Sequence, residues 1–316
     1  MNKIIVLLGP TGVGKTGASI LLAKELGAEI ISADSMQIYR HMDIGTAKPS
    51  EKERDGVIHH MIDIVDPSEA YSAGRYIADV TPVVERLIGQ GRVPVIVGGT
   101  GLYIKAMTRG IFSGPSSDPE LRERLLAMEK QRKGALCELL VKLDPEAAGR
   151  IEQNDVRRLI RAIEVCEKSS MTISDMQRDH TRPMPYDFVK IGLTRDRKEL
   201  YRMIDSRVDE MLRAGLVEEV MTVLGMRTDM TPLQAIGYRE IIRHLNNEID
   251  LQESVRLIKR NSRRYAKRQY TWFRQEEDIR WVDVTGLHDS LQVLQAIKQA
   301  LSLPAPEAPE TAKVLE

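Results

Sequence analysis

The first stretch whose residue types could do chemistry lies near the N-terminus and reads Gly9-Pro10-Thr11-Gly12-Val13-Gly14-Lys15-Thr16. It fits the pattern G-x-x-x-x-G-K-[ST], between an apolar run and a helical pattern. In such a loop, glycines let successive backbone N–H groups converge on phosphate oxygens at a helix N-terminus. Lys15 would add positive charge, and the Thr16 hydroxyl would ligate Mg²⁺. The motif predicts a phosphate-binding loop but does not indicate what the phosphate is attached to.

Two further motifs directly follow predicted strands. They read Asp34-Ser35-Met36-Gln37-Ile38-Tyr39 and Gly98-Gly99-Thr100-Gly101-Leu102-Tyr103. Both are expected at the carboxyl edge of a sheet, where ligands of open α/β folds bind. The Asp34 carboxylate can act as a general base, help to hold a metal or cap a helix. The strand before Gly98, VPVIV, lacks the terminal Asp that is typical of phosphoryl-transferring loop proteins.

Apolar patterns predict the elements that position these motifs. Continuous apolar runs, typical of strands buried on both faces, are found at Lys3 to Leu8, Glu29 to Ser32, Val93 to Val97, Phe188 to Thr194 and Ile279 to Val284. Helical stripes alternate with them, and Leu200 to Leu224 is predicted to be one long helix. This alternation predicts an α/β fold, in which a parallel sheet carrying the phosphate loop is flanked by helices.

Residues 114–185 are predicted to form an inserted all-helical subdomain, since no strand candidate occurs there. Asp118-Pro119-Glu120 and Asp144-Pro145-Glu146 each combine a capping acid, a proline and a second acid, as helix starts do. A third helix is expected from about Asp155, with Arg157, Arg158 and Arg161 on one face and no acid at i−4 or i+4 within that cluster. The core would comprise residues 1–113 and 186–303, and residues 304–316 a disordered tail.

Composition limits the classes of protein that remain. With 42% hydrophobic and 29% charged residues, the 316-residue chain fits a globular protein. It shows no signal peptide and no membrane-spanning run, which predicts a cytoplasmic protein that is not associated with a membrane. Its 46 basic and 46 acidic residues argue against an indiscriminate nucleic-acid binder. Residues 259–274, however, hold seven Lys or Arg and no acid, and their interleaved aromatic residues can either stack on bases or pack in the core.

These motifs, with Gln234-Ala235-Ile236-Gly237-Tyr238-Arg239-Glu240 and the stretch from Arg264 to Arg274, closely resemble the tRNA dimethylallyltransferase family in its bacterial form. The likeness runs from Lys3 to about Arg274. It implies that the loop holds dimethylallyl diphosphate and that the acceptor is N6 of the adenosine immediately 3′ of the anticodon in tRNA. The products would be N6-isopentenyladenosine and diphosphate, and a monomer is expected.

The resemblance also implies roles for individual residues. Lys15, Thr16 and Arg207 would act on the diphosphate, Thr16 through Mg²⁺, and Asp34 would be the base near the adenine amine. The insertion would bind the anticodon stem-loop. Contacts with tRNA are implied for Asp34, Ser35, Met36, Gln37, Thr100, Arg122, Arg157, Arg158, Leu159, Ile160, Arg161, Gln234, Ala235, Ile236, Gly237, Tyr238, Arg239, Lys267, Arg268, Gln269 and Arg274.

Three alternatives stay open on the residues alone. A small-molecule kinase would share the phosphate loop. An enzyme that prenylates free adenine nucleotides would keep Asp34 and the loop, but would have little use for the arginines of the insertion or the basic stretch. A non-catalytic RNA-binding protein would not need Lys15 for its function.

Overall fold

The chain divides into two compact units, Met1–Ile104 with Pro185–Glu316, and Lys105–Met184. The structure, a computed structural model, describes residues 3–226 and 230–302. The tail predicted at residues 304–316 lies outside these described residues. Within them, no helix is both long and apolar enough to cross a membrane.

The first unit contains a six-stranded parallel sheet with strand order β3-β2-β4-β1-β5-β6. The strands are β1 Lys3–Leu8, β2 Ile30–Ala33, β3 His59–His60, β4 Val95–Gly98, β5 Asp187–Thr194 and β6 Ile279–Asp283. Gly98 lies opposite both Leu8 and Ala33 in the register. The three motifs that follow β1, β2 and β4 therefore leave one edge of the sheet side by side. The predicted fold class is confirmed, although β3 is too short to leave a pattern in the sequence.

Helices connect the strands and build the second unit. In the described residues they are α1 Lys15–Leu26, α2 Glu51–Arg54, α3 Ala73–Gly89, α4 Gly101–Thr108, α5 Pro119–Gln131, α6 Ala135–Leu143, α7 Pro145–Arg150, α8 Val156–Lys168, α9 Ile173–His180, α10 Arg197–Arg213, α11 Leu216–Gly225, α12 Met230–Leu233, α13 Tyr238–Leu245, α14 Leu251–Phe273 and α15 Ser290–Ser302. The single helix predicted from Leu200 to Leu224 is wrong. Gly215 has a φ of 99°, which no α-helix accommodates, and it separates α10 from α11.

Among its described residues the second unit contains helices and no strand, as predicted, and its helix starts are confirmed. The side chains of Asp118, Asp144 and Asp155 accept hydrogen bonds from the backbone N–H groups three residues later. The unit begins at Lys105, before the predicted boundary at 114. The two ends of the insertion are hydrogen-bonded to each other, because the N–H of Met184 donates to the carbonyl of Met107 over 2.9 Å.

Two apolar clusters hold the first unit together. One packs α1 and α15 against the sheet through Leu7, Leu22, Ile191 and Ile297. The other joins the segment after β2 to α10, α11 and α13, with Tyr39 and Tyr238 among its fully buried side chains. Because α10 belongs to both clusters, its position beside the carboxyl edge of the sheet is fixed by packing on two sides.

Candidate active site

The phosphate loop joins β1 to α1 and forms the N-terminal end of that helix. Gly14, the N-cap of α1, has a φ of 108°, and within the described residues no side chain caps this helix. The first N–H groups of α1 therefore lack an internal acceptor and point toward the position that an anion would occupy. Thr16, on the first turn, is exposed beside them.

Lys15 is folded back onto this loop. Its ammonium donates to the carbonyls of Gly9 and Pro10 over 2.9 and 2.8 Å. The residue keeps some solvent exposure, but its charged end is withdrawn from water. This desolvation lowers the pKa of Lys15 to about 7; the carboxylate of Asp34 acts in the opposite direction, and the guanidinium of Arg207 adds to the fall. Lys15, Asp34 and Arg207 are thus within electrostatic reach of one another, as the predicted catalytic set requires.

Arg207 reaches the site from α10. A Cβ atom added to Gly12 would lie 3.0 Å from the side chain of Ile204, so α10 packs directly on the phosphate loop. Arg207 follows Ile204 by three residues, on the same face of the helix. Burial lowers the pKa of Arg207, while Asp34 opposes that fall. Its Nη2 makes a long contact of 3.5 Å with the carbonyl oxygen of Ala47, which leaves its remaining donors for a ligand.

Asp34 uses one carboxylate oxygen to hold its own turn. Oδ1 accepts the N–H groups of Met36 and Gln37 over 2.8 and 3.3 Å, so the carboxylate holds a turn. The alternative that Asp34 caps a helix is wrong, because the next helix after β2 begins only at Glu51. None of the hydrogen bonds formed by the described residues uses Oδ2. The two hydrogen bonds within the turn fix the carboxylate in place, and the second oxygen is available to accept a proton.

Thr100 lies beside the turn of Asp34. Its backbone N–H donates to the carbonyl of Ala33 over 3.1 Å, and its hydroxyl oxygen accepts the N–H of Ser35 over 3.0 Å. Tyr265, from α14, is close enough to Thr100 and Asp34 for both to affect the pKa of its hydroxyl. Burial, followed by the charge of Asp34, raises the pKa of Tyr265. Residues of two predicted motifs are therefore in contact beside the Asp34 carboxylate, and Tyr265 of a third motif lies within its electrostatic reach.

Gln269 connects the two glycine loops. Its amide oxygen accepts the N–H of Thr11, and its amide nitrogen donates to the carbonyl of Gly99, both over 2.9 Å. The residue is 6% exposed. The expectation that Gln269 offers its side chain to RNA is corrected, because both ends of the amide are engaged inside the protein. Lys267, Arg268 and Arg274 on the same stretch are exposed, so contact with RNA stays a prediction for them.

The aromatic residues of α14 divide between core and surface. Phe273 is fully buried, and Tyr270 accepts the N–H of Arg195 over 3.1 Å. Trp272 is 39% exposed and lies against Gly101, where an added Cβ would sit 2.2 Å from the indole. Of these three, Trp272 alone is exposed, so it is the one that remains a candidate for contact with a ligand.

Glu219 organises the loop after Asp34 and was not predicted from the sequence. Its carboxylate accepts the backbone N–H groups of Asp43, Ile44 and Gly45 over 2.7–2.8 Å, and the hydroxyl of Tyr238 over 2.5 Å. This loop carries the Ala47 carbonyl to Arg207, and Gln37 donates to carbonyls of the same loop. Tyr238 is fully buried, so the expectation that its side chain contacts RNA is corrected.

Arg195 is a second residue that sequence reasoning missed. It is 5% exposed, pairs with Glu199, and donates through Nη2 to the carbonyls of Val13 and Leu287 over 3.4 and 2.7 Å. Arg195 therefore binds the backbone of the phosphate loop at Val13 and adds positive charge beside it. Its position directly after the strand predicted at Phe188 to Thr194 was the one available signal.

The arginines of the second unit are not all free. Arg122 and Arg161 both bind the carboxylate of Glu164, which is fully buried. Burial alone would raise the pKa of Glu164, but the bonds from Arg122, from the Asp118 N–H and from Arg161 outweigh it and lower the pKa. No acid stands at i−4 or i+4 of the three arginines of α8, as predicted, but Arg161 has an acidic partner at i+3, Glu164. Arg157 and Arg158 are exposed as predicted.

Leu159 and Ile160, predicted to contact tRNA, belong to the core of this unit at 0% and 5% exposure. The motif from Gln234 to Arg239 also combines buried and exposed residues. Ala235 and Ile236 are partly buried against the core, whereas Gln234 is exposed and Arg239 is paired with Glu240. The amphipathic pattern of a helix does not by itself separate a ligand contact from its buried neighbour.

Comparison with known proteins identifies the family of the chain. Residues 37–276 match the sequence model of the family described as IPP transferase. The chain is 52% identical over 308 residues to a tRNA dimethylallyltransferase of Thermodesulfovibrio yellowstonii, covering 95% of this chain and 98% of that protein.

Among solved structures, the chain is similar to the tRNA isopentenylpyrophosphate transferase of Bacillus halodurans, with 41% identity, a TM-score of 0.70, and 95% and 97% of the two chains covered. A eukaryotic dimethylallyltransferase described as acting on tRNA shares 28% identity at a TM-score of 0.79, with 95% of this chain and 79% of that chain covered. On the match of its sequence and its fold, the chain belongs to the IPP transferase family.

Proposed function

We propose that the protein transfers a dimethylallyl group from dimethylallyl diphosphate to N6 of the adenosine immediately 3′ of the anticodon in tRNA. The observation that carries the proposal is the placement of a carboxylate with one uncommitted oxygen, Asp34, within electrostatic reach of Lys15 and Arg207. Two cations beside a phosphate loop suit a diphosphate. A nearby base suits an acceptor that must lose a proton.

The adenine amine is a weak nucleophile because its lone pair is delocalised into the ring. Catalysis must therefore act mainly on the electrophile. As the bond between the allyl carbon and the diphosphate oxygen breaks, negative charge develops on the diphosphate, where Lys15, Arg207 and the loop N–H groups stabilise it. The allyl carbon forms its new bond to N6, and the N6 proton passes to Oδ2 of Asp34.

Mg²⁺ is part of this proposal, with the Thr16 hydroxyl as its protein ligand. No cluster of three or more His, Cys, Asp or Glu in the described residues could hold a metal by itself. The fit is therefore to an ion that takes most of its oxygen ligands from the diphosphate and water, as Mg²⁺ commonly does. When bound, such an ion would supply further charge stabilisation for the leaving group.

Two observations favour RNA over a metabolite as the acceptor. Arg157 and Arg158 are exposed on α8, and Lys267, Arg268 and Arg274 are exposed at the end of α14. A kinase acting on small molecules has no use for such surfaces, and β4 ends at Gly98 without the acid typical of phosphoryl transfer. An unpaired loop is also the least costly place from which to extrude a base.

A tRNA substrate places the reaction in the cytoplasm, and we propose that the protein acts as a monomer.

The test is transfer of labelled dimethylallyl to unmodified tRNA by the wild type, Asp34→Asn and Asp34→Ala. Asparagine keeps an oxygen that can accept the N–H groups of Met36 and Gln37, so it preserves the turn while removing the base. We expect at least a hundredfold fall in kcat for Asp34→Asn, within the range of general-base contributions. Near-normal turnover of that variant contradicts the base role. ATP hydrolysis without RNA, and no prenyl transfer, supports a kinase instead.

A further inference from the structure

Two basic residues of the stretch 259–274 are paired with acids of α10. The ammonium of Lys259 lies 2.6 Å from Oδ1 and 2.7 Å from Oδ2 of Asp209. Nη1 of Arg263 donates to both carboxylate oxygens of Asp205 over 2.5 and 2.6 Å. All four side chains are partly withdrawn from water, since between 24% and 49% of each is exposed. These two cations are therefore engaged inside the protein, unlike the exposed cations nearer the end of α14.

The two ion pairs join α10 to α14 along one side of each helix. Asp205 and Asp209 are four residues apart on α10, and their partners Arg263 and Lys259 are four residues apart on α14, in the opposite order. Four residues make about one helical turn, so one turn of each helix faces one turn of the other. The guanidinium of Arg263 also lies 5.9 Å from the ring centroid of Tyr201, which is one turn earlier on α10. We call the two ion pairs the α10–α14 seam. Because it holds α10 at two points, it fixes the rotation of that helix about its axis.

The seam and the candidate active site lie on opposite sides of α10. Arg207 follows Asp205 by two residues and precedes Asp209 by two, which places it about 200° round the helix axis from each. Its side chain therefore leaves the helix on the side away from α14. Ile204 is next to Arg207 on that side and lies against Gly12 of the phosphate loop. The helix α10 is thus held between the phosphate loop and α14.

The position of the Arg207 guanidinium depends on the orientation of α10. Its contact with the carbonyl oxygen of Ala47 is long, at 3.5 Å, so the end of the side chain follows the helix that carries it. A rotation of about 10° moves a group at the roughly 6 Å radius of helix side chains by about 1 Å. In an active site, a displacement of that size is enough to weaken an interaction with a bound group.

We propose that the α10–α14 seam positions Arg207 for the diphosphate. Asp205, Asp209, Lys259 and Arg263 are then positioning residues, which act through Arg207 and do not touch the substrates. The inference rests on the proposed function, because it takes the diphosphate as the ligand of Arg207. It also means that two cations of the basic stretch serve the diphosphate site and not the RNA.

The first test measures binding of dimethylallyl diphosphate, with Mg²⁺ and without RNA, to two double variants. One replaces the acids of the seam, Asp205→Asn with Asp209→Asn, and the other replaces its cations, Lys259→Met with Arg263→Met. If the seam acted only through its electric field, loss of the acids would strengthen binding of an anion and loss of the cations would weaken it. A salt concentration of about 0.15 M screens the field of partly exposed charges. Loss of positioning weakens binding in both variants.

We therefore expect both double variants to bind dimethylallyl diphosphate about fivefold more weakly than the wild type. Effects of opposite direction overturn the inference, and so does a change of less than about twofold in both. If a double variant does not fold, as judged by circular dichroism, Asp209→Asn and Lys259→Met alone make the same comparison. Each should then weaken binding about threefold, because the pair of Asp205 and Arg263 stays intact.

Glu253→Gln and Arg256→Met are the matched controls. Glu253 and Arg256 pair with each other within α14, so these substitutions remove the same kinds of charge from the helix without changing the seam. Each should leave the affinity for the diphosphate within about twofold of the wild type. If either control weakens binding as much as the seam variants do, the effect belongs to α14 in general and the inference is wrong.

The second test asks whether the seam acts through Arg207. The double variant Asp205→Asn with Asp209→Asn is made in the wild type and in Arg207→Met, and its effect on diphosphate affinity is compared between the two. Residues that act as one unit are not additive, so the effect should fall below about twofold in Arg207→Met. An equal loss in both backgrounds means that the seam acts on another part of the site, which overturns the inference. If the wild type binds ATP in place of dimethylallyl diphosphate, the proposed function fails, and the same comparisons made with ATP decide on the seam.

Discussion

Binding of dimethylallyl diphosphate at pH 8 should draw close to one proton from solution, because Lys15 is mostly neutral before the ligand arrives. With the pKa of Lys15 at about 7, roughly nine in ten free molecules carry the neutral amine at pH 8. A diphosphate in contact with this amine favours the ammonium and raises its pKa. Affinity is therefore complete below pH 7 and falls about tenfold per pH unit above it, until the pH reaches the pKa of the bound state.

Isothermal titration in two buffers of different ionisation enthalpy measures this uptake directly. We expect about 0.9 proton per diphosphate at pH 8 for the wild type and none for Lys15→Met, which retains a side chain of similar length without a charge. The terminal phosphate of the ligand, with a pKa near 6, is already ionised at this pH and contributes little. Equal heats in the two buffers would refute the burial argument for Lys15.

Two predictions concern the supports of the site. Glu219→Gln replaces one acceptor oxygen by a donor and leaves backbone N–H groups unpaired. We therefore expect the free energy of unfolding to fall by about 2 kcal/mol and kcat/KM for the diphosphate to fall at least tenfold. Glu218→Gln, at an exposed position, is the control, and an equal loss of stability and of kcat/KM in both variants would contradict the role of Glu219 in anchoring the loop. Glu164→Gln leaves two arginines without their charge partner and should cost about 2–3 kcal/mol by chemical denaturation. Because the pKa of Glu164 is lowered in the folded protein, its carboxylate contributes to the free energy of unfolding above pH 4.5, the ordinary pKa of Glu. This contribution is lost as the pH falls through the lowered pKa. The difference in stability between the wild type and Glu164→Gln should therefore disappear in acid.

The sheet and the convergence of its three motifs could be predicted because their signals are local. Continuous apolar runs indicate buried strands, and in a parallel sheet every strand ends at the same edge. That geometry alone brings Asp34, Thr100 and the phosphate loop together. The helix starts at Asp118 and Asp144 were equally local, since a cap and its N–H partner lie three residues apart.

What escaped prediction depends on contacts between distant parts of the chain. Glu219 is separated by 176 residues from Asp43, and Arg195 by 182 residues from Val13. No periodicity connects such positions, so their roles are visible only when α10, α11 and the loops are packed together. The same holds for Gln269, whose place in a basic stretch suggested a surface residue, although its side chain points inward between two loops.

The bridge formed by Gln269 has a thermodynamic consequence. The helix that carries it also carries the exposed Lys267 and Arg268, so a polynucleotide that shifts this helix would move the backbones of Thr11 and Gly99 with it. If binding of one ligand moved this bridge, it would change the affinity for the other ligand, and linkage would make the two effects equal. The side-chain amide of Gln269 would then couple the binding of two substrates of very different size.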